Sequence, residues 1–223
     1  MSLKAVLFDL DGTLADTAPD LVAVLNRLLA ESGRPPMAFA IARNQVSHGA
    51  LGLIRLGFGL PGDAPVEADL RQRFLDLYHE IGHDNSNLFI SLDMINDIVS
   101  RNELRWGVVT NKPDALTRPV LEHLGVLAGA GSVVSGDTLP QKKPDPAPLR
   151  HAANQLGVDP ASCVYLGDAA RDIEAGRAAG MRTIATSYGY IRPGEDISAW
   201  QADAIVDHPR RIQGMIDRLN EKR

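Results

Sequence analysis

Six short apolar runs alternate with helical patterns along most of this chain. A short apolar run that ends in polar or Gly residues is typical of a β-strand buried on both faces. Helical periodicity separates several of the runs, at residues 114–124, 146–156 and 172–180. This alternation predicts an α/β fold, with a parallel sheet and right-handed crossovers. The six runs are residues 5–8, 106–109, 132–134, 163–166, 183–186 and 204–206.

A long helical segment interrupts this alternation after the first run. Residues 21–31, 49–56 and 67–81 have helical patterns, and no strand pattern occurs before about residue 86. About 70 residues are too many for one crossover connection. We therefore expect an inserted helical domain at residues 18–86, and a core domain formed by residues 1–17 and 87–223.

Composition limits the classes of partner. The chain has 223 residues, 44% of them hydrophobic, which is enough for a sizeable core. Its net charge of −5 argues against nucleic acid as a partner. The single Cys163 excludes an intramolecular disulfide and fits a reducing compartment. The first strand begins near the N-terminus and no apolar run is long, so we expect no signal peptide, no membrane span and a cytoplasmic location.

Two carboxylates follow the first predicted strand. Asp9 and Asp11 are two residues apart, so on an extended chain both side chains can point the same way. Like charges held this close repel each other and raise the pKa of at least one group. A bound cation, or a shared role in acid–base chemistry, would offset that repulsion.

Further polar residues follow the other predicted strands. Thr110 and Asn111 follow the second run, Lys143 lies beyond the third, and Asp168 and Asp172 follow the fourth. In open α/β sheets such strand ends meet at one edge. The set suits phosphoryl transfer, in which one carboxylate attacks phosphorus and another carries protons. Mg²⁺ prefers oxygen ligands, and a lysine can neutralise phosphoryl charge. The Thr110 hydroxyl and the Asn111 backbone N–H are candidates to bind a phosphoryl oxygen.

The same residues resemble the four ordered motifs of the haloacid dehalogenase-like superfamily. The resemblance runs from the first strand to about residue 180 and implies a Rossmann-like core with a mobile helical cap. Any one motif is a weak signal, but four in the right order are a strong one. The motifs are Asp9-Leu10-Asp11-Gly12-Thr13, Val109-Thr110-Asn111, Lys143-Pro144 and Gly167-Asp168-x-x-x-Asp172.

The resemblance also implies roles for individual residues. Asp9 would be the nucleophile and Asp11 the general acid and base. Mg²⁺ would bind Asp9, the main-chain carbonyl of Asp11, and Asp168. Dehalogenases of the superfamily lack the second aspartate, so Asp11 favours a phosphatase or a phosphomutase.

Motifs two to four have implied roles as well. Thr110 and Lys143 would hold the phosphoryl group, and Asp172 would orient metal-bound water or Lys143. One position departs from the pattern, because Ala169 stands where a hydroxyl residue is common. Alanine cannot make the hydrogen bond that a hydroxyl residue could make near the metal. This departure bears on the geometry of the metal site and does not change the predicted class of enzyme.

A narrower resemblance concerns the substrate. Residues 136–146, 187–190 and 200–209 are similar to phosphoglycolate phosphatases, and still more to their relatives that dephosphorylate N-acetylmuramic acid 6-phosphate. We therefore expect a Mg²⁺-dependent phosphomonoesterase that is phosphoglycolate phosphatase-like and acts on a small organic phosphate. N-acetylmuramic acid 6-phosphate phosphatase, a β-phosphoglucomutase-like phosphotransferase and a phosphoacceptor receiver-like domain are the alternatives.

Residues of the helical segment are candidates for substrate specificity. His48 and Gly49 precede a predicted helix, whose free backbone N–H groups could meet an anionic substrate. An ordinary helix start capped by Ser47 explains the same pattern equally well. Arg55, like Arg43, is a further candidate, although arginines usually lie on the surface.

Overall fold

The computed structural model of the chain describes residues 2–62 and 64–221. All six predicted runs form strands, three of them with bounds one residue longer than expected, and two further short strands occur. In this part of the chain the strands are β1 (Ala5–Phe8), β2 (Ala15–Asp16), β3 (Asn87–Leu88), β4 (Arg105–Val109), β5 (Ser132–Val134), β6 (Cys163–Gly167), β7 (Arg182–Thr186) and β8 (Ala204–Val206).

The main sheet has six strands in the order β5-β4-β1-β6-β7-β8. Every neighbouring pair is parallel, which confirms the predicted α/β, Rossmann-like fold class. β1 lies near the middle, and its side chains alternate between two apolar clusters. Ala5 and Leu7 pack into one cluster, whereas Val6 and Phe8 pack into the other. Both faces of the sheet are therefore covered, which explains why its strands read as continuous apolar runs.

Among the described residues, five α-helices belong to the segments that connect or follow the main strands. α7 and α8 supply apolar residues to the cluster with Ala5 and Leu7. α5, α6 and α9 supply the opposite cluster. The sequence analysis did not anticipate α5 or α9. The five are α5 (Leu92–Asn102), α6 (Asp114–His123), α7 (Ala147–Gln155), α8 (Ala170–Ala179) and α9 (Ile212–Glu221).

Between β2 and β3, residues 17–62 and 64–86 form helices and loops and contain no strand. The expected helices are present, α1 packs against α4 and α3, and a short 3₁₀ helix (Val46–His48) precedes α3. Their apolar cluster also includes Leu116, Val120 and Tyr190, which lie outside the segment. The helical segment therefore packs against the core through apolar contacts. The helices are α1 (Ala18–Glu31), α2 (Phe39–Arg43), α3 (Gly49–Phe58) and α4 (Glu67–Ile81).

The two chain connections to this helical segment are joined to each other. β2 and β3 pair antiparallel, Ala15 with Leu88 and Asp16 with Asn87, close to the expected boundaries. Next to this ribbon, the buried Asp20 accepts hydrogen bonds from the Asn85 side chain (2.9 Å) and from the Ser86 hydroxyl (2.7 Å). No helix among residues 2–62 and 64–221 is both long and apolar enough to cross a membrane.

Candidate active site

The predicted residues meet at the carboxyl edge of the main sheet. Asp9 follows β1, Thr110 follows β4, and Asp168 follows β6. All three are almost fully buried, as are Lys143 and Asp172. Carboxylate oxygens of Asp9, Asp168 and Asp172 lie within 4.8 Å of one another. The parallel topology therefore brings together residues that are up to 163 positions apart in the sequence.

Lys143 links two of these carboxylates. Its Nζ lies 2.8 Å from Asp9 Oδ1 and 2.8 Å from Asp172 Oδ1, and it also donates to the Tyr165 hydroxyl at 2.8 Å. Asn111 holds the lysine backbone: its Nδ2 donates to the Lys143 carbonyl (2.9 Å), and its Oδ1 accepts from the Lys143 N–H (3.0 Å). The Asn111 side chain therefore orients Lys143, a function that the sequence did not suggest.

Burial changes the proton affinity of this cluster. Desolvation raises the pKa of Asp9 to about 6, although the charge of Lys143 opposes the rise. Desolvation, followed by the charges of Asp9 and Asp172, raises the pKa of Asp168 to about 7. The pKa of Lys143 is also raised, because the two nearby carboxylates outweigh the effect of burial. Three carboxylates thus share two nearby cations, Lys143 and Arg171, so the cluster has excess negative charge when all three are ionised.

A divalent cation fits this arrangement. Asp168 Oδ1 is buried and has no hydrogen-bond partner in the described part of the chain. A Cβ on Gly12, where φ is +88°, would lie 2.1 Å from Asp168 Oδ2. Any side chain at position 12 would therefore clash with the Asp168 carboxylate where it now lies. Asp172 bonds Lys143 and accepts from the Ala169 backbone N–H at 3.1 Å. The buried aspartate cluster could therefore bind a metal ion.

Asp11 lies beside the cluster with partners of its own. The Thr17 hydroxyl donates to its Oδ1 at 2.5 Å, and Lys112 Nζ donates to the same oxygen at 3.1 Å. Lys112 is buried and also bonds the Tyr78 hydroxyl of α4 at 3.2 Å. Burial lowers the pKa of Lys112, but Asp11 and Tyr78 raise it by more. The sequence analysis missed Lys112, although its place directly after a strand-end motif was a usable signal.

A cavity of about 700 Å³ separates the helical segment from the strand ends. The candidates His48, Gly49 and Arg55 all line it, together with Asp9 and Asp11. Apolar side chains of the helical segment form part of its wall, and cationic side chains line it from both the segment and the strand ends. The cations include the unanticipated Arg71 and Arg171, the exposed Lys142, and the two buried lysines Lys112 and Lys143.

The specificity candidates differ in what else they contact. Arg55 forms a paired salt bridge with Glu67, with nitrogen–oxygen distances of 2.8 and 2.9 Å, so part of its charge is already engaged. Burial, followed by two nearby arginines, lowers the pKa of His48, which favours a neutral imidazole at pH 7. Arg43 lies outside the cavity lining and donates to the Gly189 carbonyl at 3.1 Å.

Ser47 does not cap the helix that follows it. The residue before α3 makes no side-chain capping bond, and the Ser47 hydroxyl instead donates to Asp168 Oδ2 at 2.7 Å. Arg171 also donates to the Ser47 carbonyl. The helix-cap explanation for this serine is therefore wrong, because the tertiary structure turns it towards the carboxylate cluster.

Fold and site together define an α/β protein with a cluster of buried carboxylates at the carboxyl edge of its sheet. Residues 6–186 match the family model described as haloacid dehalogenase-like hydrolase, and the chain belongs to that family. It is 44% identical over 218 residues to an N-acetylmuramic acid 6-phosphate phosphatase of Pseudomonas aeruginosa. That alignment covers 98% of this chain and 96% of the relative. It is 40% identical over 209 residues to a phosphoglycolate phosphatase of Xanthomonas campestris pv. campestris, covering 94% of each.

A solved structure shares the fold over nearly the whole chain. It is a predicted phosphoglycolate phosphatase from Haemophilus somnus, with a TM-score of 0.81 and 26% identity, covering 96% of this chain and 98% of that one. With family membership and phosphatase relatives at 40–44% identity, the chain is a haloacid dehalogenase-like phosphatase that acts on small phosphate esters.

Proposed function

We propose that the chain is a Mg²⁺-dependent phosphomonoesterase in which Asp9 is the nucleophile. The observation that carries this proposal is the buried Asp9 carboxylate, which lines the cavity and has one oxygen held by Lys143. A fixed carboxylate that is already paired with a cation loses little freedom when it reacts. The other oxygen attacks phosphorus, an Asp9–phosphorus bond forms, and the bond to the leaving oxygen breaks.

Asp11 is the proposed proton carrier. It gives a proton to the leaving oxygen in the first step and removes one from water in the second. The water oxygen then bonds phosphorus, the Asp9–phosphorus bond breaks, and inorganic phosphate leaves. Thr110 and the Asn111 backbone N–H are proposed to bind a phosphoryl oxygen, next to Lys143.

The proposed metal ligands are Asp9, the Asp11 carbonyl and Asp168, with Asp172 behind them. The unpartnered Asp168 Oδ1 and the glycine at position 12 support this assignment. When bound, Mg²⁺ would neutralise part of the phosphoryl charge. We also propose that residues 18–86 act as a cap domain over a core of residues 1–17 and 87–223, since the cavity lies between these two parts.

The size of the cavity bears on the substrate. Pockets of about 300–1,000 Å³ hold ligands of drug size, and this one measures about 700 Å³. A two-carbon ester such as phosphoglycolate would leave much of that volume to water. The cavity therefore favours the second candidate, N-acetylmuramic acid 6-phosphate, which two relatives at 44% and 41% identity are named for. A cytoplasmic location and the absence of nucleic-acid partners stay predictions.

A phosphate-release panel with Mg²⁺ tests the proposed function. It includes N-acetylmuramic acid 6-phosphate, 2-phosphoglycolate, common sugar phosphates and pyrophosphate. We expect rapid release from at least one ester, and the highest kcat/KM with the amino-sugar phosphate. A long-lived phosphoaspartate would favour the receiver-like alternative, and a need for a sugar bisphosphate without phosphate release would favour the phosphomutase.

Two variants test the assigned roles. Asp9→Asn should abolish phosphate release from every ester while the protein stays folded. Asp11→Asn should slow poor leaving groups most, because an activated aryl phosphate needs no proton on departure. Full activity of Asp9→Asn would contradict the assignment of Asp9 as the nucleophile, provided that mass spectrometry shows no deamidation of the new asparagine. Equal losses of activity by Asp11→Asn on esters with poor leaving groups and on an activated aryl phosphate would contradict the assignment of Asp11 as the proton carrier.

A further inference from the structure

Lys112 is a buried cation that the proposed reaction does not use. Its side chain is 6% exposed, and its Nζ lies between Asp11 of the core and Tyr78 of α4. Nζ also lies 4.8 Å from the centre of the Tyr78 ring. Burying an ammonium is costly unless partners satisfy it. Of its two side-chain partners, Asp11 lines the cavity and belongs to the core, whereas Tyr78 belongs to the helical segment.

The lysine backbone is fixed by the core. The Lys112 N–H donates to the Thr110 hydroxyl at 3.2 Å, and the Lys112 carbonyl accepts from the Gly136 N–H at 2.8 Å and the Thr117 hydroxyl at 3.0 Å. The side chain starts from this anchored point and ends against α4. Its position therefore depends on α4 lying close to the strand ends.

The contacts of Asp11 show what this lysine does. Lys112 Nζ and the Thr17 hydroxyl both donate to the same carboxylate oxygen, Oδ1. An oxygen that accepts two hydrogen bonds is a poor site for a proton, so a proton on Asp11 belongs on Oδ2. The structure gives Oδ2 no hydrogen-bond partner within residues 2–62 and 64–221. The two donors thus fix the carboxyl rotation and decide which oxygen can exchange a proton with the substrate.

We propose that Lys112 is a positioning residue for Asp11 and that Tyr78 makes its action depend on the helical segment. With α4 against the core, Tyr78 holds the ammonium on Oδ1 and leaves Oδ2 for proton transfer. With α4 withdrawn, the ammonium loses this partner and is free to leave the carboxylate. This inference rests on the proposed role of Asp11 as proton carrier.

Kinetics with two kinds of ester test the proposal. Lys112→Met should reduce kcat for an alkyl or sugar phosphate by about 10- to 100-fold, the range for losing one hydrogen bond to a charged group. For p-nitrophenyl phosphate, whose leaving group needs no proton, the loss should be under about threefold. KM should change little for either ester. Tyr78→Phe, which removes only the hydroxyl, should show the same pattern with a smaller loss.

Combined variants separate positioning from other roles. Asp11→Asn with Lys112→Met should be no slower than Asp11→Asn alone, because the lysine acts through Asp11. Tyr78→Phe should add nothing to Lys112→Met. Lys112→Arg keeps the charge and should recover part of kcat. Lys4→Met, at an exposed lysine, is the matched control and should behave like the parent protein.

Several outcomes would overturn the proposal. A rise in KM with unchanged kcat would make Lys112 a substrate-binding residue, and equal losses on both esters would make it structural. Full additivity of the Lys112 and Asp11 losses would also reject it. If Lys112→Met does not fold by circular dichroism, Lys112→Arg and Tyr78→Phe carry the same comparison. If Asp11→Asn itself shows no leaving-group dependence, the proposed function fails, and this is distinguishable from failure of the lysine role alone.

Discussion

Asp168→Asn should stabilise the metal-free protein while removing its response to Mg²⁺. Asp168 is buried, and its Oδ1 has no partner in the described chain. Raising its pKa from 3.8 to about 7 corresponds to about 4 kcal/mol at about 1.36 kcal/mol per pH unit. This is an upper limit, because part of the rise comes from the charge of Asp9 and is lost wherever Asp9 is itself protonated. Asparagine keeps an oxygen for the bonds from Ser47 and Tyr190.

The pH dependence has a definite sign. A raised carboxyl pKa means that the native state binds its proton more tightly than the unfolded state does. The free energy of unfolding of the metal-free protein therefore falls as pH rises from about 4 to about 7, and this contribution is constant above that range. In Asp168→Asn, the free energy of unfolding should depend much less on pH. The smaller dependence that remains comes from Asp9 and should end near pH 6.

Urea unfolding between pH 4 and 8, with EDTA and then with Mg²⁺, measures both effects. At pH 8 without metal, the variant should unfold at higher urea and melt higher, by about 2–4 °C for each kcal/mol gained. Mg²⁺ should stabilise the parent protein but not the variant. Asp97→Asn, at an exposed position, is the control. The reasoning is refuted if Asp168→Asn gains no stability at pH 8 without metal, or if Mg²⁺ stabilises both proteins equally.

Three further substitutions probe the surroundings of the site. Gly12→Ala should abolish Mg²⁺-dependent stabilisation, measured by melting with and without the ion, because its Cβ would lie 2.1 Å from Asp168 Oδ2. Asp20→Ala should lower the free energy of unfolding by about 3 kcal/mol, since it removes the acceptor of the Ser86 hydroxyl bond; an unchanged urea midpoint would contradict this. Tyr190→Phe should cost about 2–4 kcal/mol, because its hydroxyl accepts two buried backbone N–H groups, and unaltered unfolding would show that water replaces it.

Most of the main sheet could be predicted because its strands are buried on both faces. Burial of this kind leaves a local signal, a short apolar run, and each of the six runs became a strand. β2 and β3 are two residues each and leave no periodic signal, so their pairing could not be read. α2 is only five residues long, and α5 and α9 were also missed. Such elements are set by packing against the rest of the fold rather than by local pattern.

The site shows the same division. Asp9, Thr110 and Asp168 were predicted as site residues because each directly follows a strand, where parallel topology brings polar side chains together. Lys143 lies nine residues beyond the end of β5 and was predicted from its place before Pro144 in the motif of the resembled family. The salt bridge between Arg55 of α3 and Glu67 of α4 could not be predicted from the sequence. Contacts of this kind join residues on separate helices, and their distance depends on how those helices pack.

By itself, the sequence determined the sheet and the chemical identity of the groups at its edge, because strand burial and strand-end polarity are local properties. Only the tertiary structure decided which of these groups form hydrogen bonds and ion pairs with each other. It placed Lys143 between Asp9 and Asp172, and it set Lys112 on one oxygen of Asp11. These choices depend on distances of about 3 Å between distant parts of the chain, and hydrogen bonds weaken steeply outside that range.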